Sequence, residues 1–108
     1  MSDIAPTIID LTAARSGELN ESWLTMFGSA VKLVLQRLFG EDIGVPLKIK
    51  GSRADVAAFT NTVNREKRYL EALRDYGLNN PRTYKSKAEL TSSISKFERA
   101  TGLKWPFK

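Results

Sequence analysis

Residues 20–39 are the segment that most restricts what this chain can become. Trp23, Phe27, Ala30, Val31, Val34, Leu35 and Leu38 recur at three- and four-residue spacing, the period of an amphipathic helix, and Gly40 supplies a stop. Leu24, Met26, Leu33 and Phe39 widen the apolar stripe beyond a narrow seam. Such a helix must be covered, either in the middle of its own core or against a partner. In a chain of 108 residues, 42% of them hydrophobic, one domain spanning 1–108 with a fairly small core is the natural outcome.

Around this helix the sequence punctuates clearly. Thr7-Ile8-Ile9-Asp10-Leu11 reads as a short strand or an extended arm over residues 1–18, and Ala13-Ala14-Arg15-Ser16-Gly17 as a turn. Val45, Leu47 and Ile49 alternate with polar residues between Gly44 and Gly51, which predicts one short, half-exposed strand able to pair with Thr7–Leu11. Two strands make a small sheet that helices must cover. Ser52-x-x-Asp55 is a capping arrangement that opens a helix over Arg53 to Tyr76. Its apolar side carries Val56, Phe59, Val63, Leu70 and Leu73, with Glu66 where another apolar residue would fall. Gly77 favours a left-handed helix end with Leu78 folded back as a hydrophobic contact, and Asn79-Asn80-Pro81 prevents continuation. Ser86-x-x-Glu89 then reads as a capping box for a last helix from Lys87 to about Thr101, with Leu90, Ile94 and Phe97 inward. The expected fold is mainly α: three main helices with a minor two-stranded β element. Gly77-Leu78 and Gly102-Leu103, 25 residues apart in the sequence, look like two solutions to the same helix-ending problem rather than a repeat.

Residue types exclude much chemistry. Without cysteine or histidine, no disulfide, thiolate site, histidine zinc site, Ser-His-Asp triad or Cys-His pair can exist. No spacing singles out a catalytic residue, a metal ligand set or a cofactor loop, so no enzyme activity, metal or cofactor is expected. Glu66 is the carboxylate most open to perturbation, and a structural ion pair with Lys87 or Arg82 is the expected reason for its position. The first residues lack the basic and apolar regions of a secretory signal, and the longest apolar runs are too short to span a membrane. Synthesis and residence in a reducing cytoplasm, with a virion as a further location, are the expectation.

Charge is distributed unevenly. Residues 1–44 carry three basic and six acidic side chains, whereas residues 45–108 carry fourteen basic and six acidic. An acidic first part is thus joined to a strongly basic second part that attracts anionic partners. For a nucleic-acid partner the candidate contacts are Arg65, Arg68, Arg82 and Lys85, with nearby tyrosines available to stack on bases. The alternative is that these charges solvate helix faces. The tail at 104–108 is the other candidate: Trp105 and Phe107 flank Pro106, and either close the chain's own core or insert into a neighbouring subunit as an assembly interface.

From Gly51 through Phe59, then Glu66-Lys67-Arg68-Tyr69, Tyr76-Gly77-Leu78, Pro81-Arg82-Thr83-Tyr84 and the ending Phe97-Glu98-Arg99-x-Thr101-Gly102-Leu103-Lys104-Trp105-Pro106-Phe107-Lys108, the chain resembles small structural and accessory proteins of tailed bacteriophages. The resemblance covers the second half by general appearance and brings no functional residues with it. It implies a virion or accessory role. The functional expectation is a non-enzymatic structural or interaction protein in a phage particle or other protein assembly, with protein partners or self-association. A basic nucleic-acid-binding accessory protein is the alternative.

Overall fold

The computed structural model describes residues 5–17 and 20–107. Its elements follow in the order β1 (Thr7–Asp10), α1 (Ala13–Ser16), α2 (Glu21–Leu38), β2 (Leu47–Lys50), α3 (Arg53–Tyr76) and α4 (Pro81–Thr101). Three long helices and a small sheet make a mainly α fold, as the periodicities predict.

The central helix starts where Asn20 accepts a hydrogen bond from the Trp23 backbone N–H at 2.8 Å, the side-chain cap that a helix start needs. It buries Phe27, Ala30, Val31 and Leu35. Phe27 stacks on Phe97 of α4 with centroids 6.3 Å apart and lies 6.4 Å from Phe59 of α3. That aromatic contact joins all three long helices at one point.

β1 and β2 pair in parallel, with Thr7 opposite Leu47 and Ile9 opposite Ile49. Parallel strands need a long crossover, and α1 with α2 supplies it. The segment expected as an extended arm is anchored: Ile9, Leu11 and Ala13 are buried in the core. Residues 1–4 and 18 of that arm lie outside the described residues. The expected turn at 13–17 is a single helical turn closed by Gly17 in the left-handed region.

α3 runs over the expected residues. Ser52 Oγ accepts from the Asp55 N–H at 3.1 Å, and Asp55 Oδ2 accepts from the Ser52 N–H at 3.4 Å, so both halves of the capping box are present. The end of α3 departs from expectation. Gly77 has φ 78° and ψ 179°, a conformation nearly confined to glycine, and it directs the chain outward instead of folding it back. Leu78 is consequently 68% exposed. At Gly102, where φ is 75° and ψ 3°, the left-handed cap does form and Leu103 is fully buried.

α4 also begins earlier than Lys87. Asn80 is the cap, accepting from the Arg82 N–H at 2.9 Å, and Pro81 takes the first helical position. Proline blocks the residues before it but suits a helix start, where its missing N–H has no intrahelical partner anyway. Ser86 and Glu89 therefore sit inside the helix and form no box. α3 and α4 pack antiparallel: Thr62 Oγ1 donates to the Ser93 carbonyl at 3.2 Å, and Thr83 Oγ1 to the Ala72 and Gly77 carbonyls at 3.3 and 2.7 Å.

Candidate functional site

The aromatic tail lies in the chain's own core. Trp105 is 3% exposed, with ring centroids 5.3 Å from Phe97 and 6.0 Å from Phe59. Its backbone N–H donates to Glu98 Oε2 and its indole N–H to Glu66 Oε1, both at 2.9 Å. Phe107 meets the Trp105 ring edge-on at 6.5 Å and remains partly exposed. Pro106 lies over α2 at Gly28, where an added methyl group would stand 3.6 Å from it. Trp105 is therefore not available as an assembly interface.

Glu66 has a different partner from the expected Lys87 or Arg82. Its carboxylate, 4% exposed, meets the Trp105 indole, because the α3 face that carries it looks toward the returning tail rather than toward the start of α4. Burial pushes its pKa above the usual 4.5, and the Trp105 hydrogen bond opposes that shift. The arrangement provides a hydrogen-bond acceptor that holds the tail in place.

The four candidate basic residues are not brought together as one set. Arg65 Nη1 pairs with Glu89 Oε2 across the α3–α4 seam at 2.8 Å. Arg82 donates from Nη1 to the Tyr76 hydroxyl at 2.8 Å, with its guanidinium 4.8 Å from that ring's centroid. Both are occupied within the chain. Arg68 and Lys85 are exposed, and the antiparallel register fixed by Arg65–Glu89 and Thr83–Ala72 places them at a similar level of the helix pair. Around Arg68 the exposed face of α3 carries Asn61 and Asn64, and Ser92 and Lys96 of α4 line the adjoining groove with Asn61. Sequence reasoning looked for clustered positive charge and missed these amides, although 61, 64 and 68 are spaced as one helix face.

A second surface lies between β1 and α2. Ile8, Ile9, Trp23, Met26, Phe27 and Ala30 line a groove of about 320 Å³, with Ile8 57% and Met26 68% exposed at its rim. The Thr7 and Leu11 N–H groups donate to the Pro46 and Lys50 carbonyls at 2.9 and 2.8 Å. Backbone direction alternates along a strand, so Ile8 and Asp10 turn their amides to the opposite edge, where no further strand pairs among the described residues. Asp10 Oδ1 accepts from the Thr12 hydroxyl at 2.6 Å and its N–H at 2.9 Å. The hydroxyl bond leads the causes that hold this carboxyl below its usual range. The sequence signals were the adjacent Ile8-Ile9, only one of which can face inward, and Met26 at the margin of the α2 stripe.

Among the described residues no group of three or more carboxylates is placed to hold a metal ion, and no helix is long and apolar enough to cross a membrane. Comparison with protein-family models, characterised proteins and solved structures finds no match.

Proposed function

We propose that this chain is a non-catalytic structural protein that enters a protein assembly by pairing the open edge of β1 with the same edge of a second copy. The observation that carries this reading is the β1 edge, which pairs with no further strand among the described residues, beside an apolar groove whose rim, Ile8 and Met26, faces solvent. A two-stranded parallel sheet is small, and an open strand edge is a ready template for another strand. Pairing across a two-fold axis would extend the sheet to four strands and cover both copies of Ile8 and Met26 in one self-complementary contact. The resemblance of the second half to small tailed-phage proteins supports a virion as the assembly. Sedimentation over a wide concentration range tests the contact. The parent protein should dimerise, and Met26→Asp, at an exposed position that leaves the core untouched, should remain monomeric with unchanged helical signal. A parent protein that is monomeric at every concentration, or a Met26→Asp variant that dimerises equally well, overturns the reading.

A further inference from the structure

We infer that the exposed face of α3 is a duplex-DNA-binding surface that enters the major groove, with Arg53 and Arg68 on flanking phosphates and Asn61 and Asn64 on base edges. This inference stands on a different face from the β1 edge and is independent of the assembly reading.

The face is defined by spacing and exposure. Arg53, Ala57, Thr60, Asn61, Asn64 and Arg68 recur every three or four residues, and all six are exposed. No large apolar side chain interrupts them. The stretch from Ala57 to Asn64 is about 10 Å long at the ordinary helical rise, and fits a major groove about 12 Å wide. Its side chains are short, so the helix backbone can approach the base pairs. Arg53 and Arg68 are about 22 Å apart by the same rise and fall outside the groove, where long guanidinium side chains reach phosphates on either side. Asparagine amides suit the paired acceptor and donor that adenine presents in that groove.

The charge around the face agrees. Glu89 is paired with Arg65 at 2.8 Å and Glu71 with Lys67 at 3.8 Å. Asp75 is held by Arg74 at 3.0 Å, Asp55 is buried in the capping box, and Glu66 is buried at the tail. Arg53, Arg68, Lys85 and Lys96 are left as exposed cations with no acidic partner among the described residues, and Lys96 shares the α3–α4 groove with Asn61. The absence of an aromatic or large apolar anchor on the face disfavours a single-strand stacking platform, a protein hot spot and a membrane surface. The deep, narrow major groove of duplex RNA would not admit the helix.

Fluorescence anisotropy with a labelled duplex two helical turns long tests the assignment. The parent protein should bind with affinity that falls steeply as salt rises. The double variant Arg53→Gln/Arg68→Gln should flatten the log affinity against log salt slope by about 2, close to one counterion for each phosphate no longer neutralised. Arg53→Lys/Arg68→Lys should keep the parent slope. Asn61→Ala/Asn64→Ala should keep the slope while reducing discrimination between A·T-rich and G·C-rich duplexes. Arg82→Gln, whose side chain is occupied by Tyr76, should change neither. No duplex binding at low salt, an unchanged slope in the double glutamine variant, an equal loss from Arg82→Gln, or tighter binding to polyglutamate than to duplex each overturns the assignment. The last of these would point to an acidic protein instead.

Discussion

Replacing Trp105 separates a tail that belongs to the core from one that serves an interface. The ring packs against Phe59 and Phe97 and is 3% exposed, so Trp105→Ala removes a fully enclosed aromatic. Such truncations cost about 3–5 kcal/mol through lost transfer energy and the cavity left behind. The same change deletes the indole donor at 2.9 Å from Glu66 and leaves a buried carboxylate without it, a further loss of about 1.5–3 kcal/mol for a hydrogen bond to a charged group. Against a total stability of about 5–15 kcal/mol for an ordinary domain, the combined loss is a large fraction of the whole.

Urea unfolding followed by helical circular dichroism measures it, and two milder variants divide the contributions. Trp105→Phe keeps most of the packing but lacks the indole donor, whereas Glu66→Gln keeps a carbonyl acceptor without the charge. If the two groups act through their mutual bond, the effects of the two single variants should fail to add in the double variant, a coupling expected of residues in contact. A Trp105→Ala protein within about 1 kcal/mol of the parent, well below the range for enclosed aromatics, would refute the placement of the tail in the core.

Two further expectations concern the interior. Phe27→Asp puts a charge at the junction of the three long helices, where Phe27 lies 5.1 Å from Trp23 and 6.3 Å from Phe97 by ring centroids; the loss should reach about 5 kcal/mol or more, and near-identical urea midpoints would reject the junction. Glu66→Gln should stabilise the protein at neutral pH. The Glu66 pKa is raised in the folded state, so the native protein binds this proton more readily than the unfolded chain, and stability is lost as pH rises from the usual value through the folded one. The advantage of the glutamine should therefore shrink as pH falls and vanish below about 4.5; an advantage that does not change with pH would contradict it.

Local signals in the sequence were sufficient wherever one local signal stood without a competitor. The inner α2 stripe of Phe27, Ala30, Val31 and Leu35, the start at Asn20 and the Ser52–Asp55 box rest on near neighbours in sequence and appear in the structure, whereas Leu24, Met26, Leu38 and Phe39 of the wider stripe are exposed. The start of α4 was misread because two cap signals compete within seven residues. Ser86 can cap only if the chain before it is not helical, and Asn80-Pro81 already starts the helix there, so the earlier signal wins. Gly77-Leu78 and Gly102-Leu103 look alike yet end with Leu78 exposed and Leu103 buried. The difference lies in the next few residues: Asn80-Pro81 restarts a helix outside, whereas Trp105 draws the second segment back over the core.

The candidate surface was less legible because availability of a charge depends on a partner far away in sequence. Arg65 and Arg68 are three residues apart on one helix and look equivalent in a charge count. One meets Glu89, 24 residues on, and the other meets solvent. Arg82 is claimed by Tyr76 in the same way, across the turn between helices. Cancelling such pairs changes the identity of the surface rather than only its strength. The net charge stays where the sequence puts it, but the cations left over flank a stripe of short amide and hydroxyl side chains. A patch of dense positive charge would bind any polyanion through its backbone. A sparse one whose arginines bracket Asn61 and Asn64 makes the amides contribute to recognition, so loss of the arginines and loss of the asparagines should be distinguishable in the salt slope and in the sequence preference.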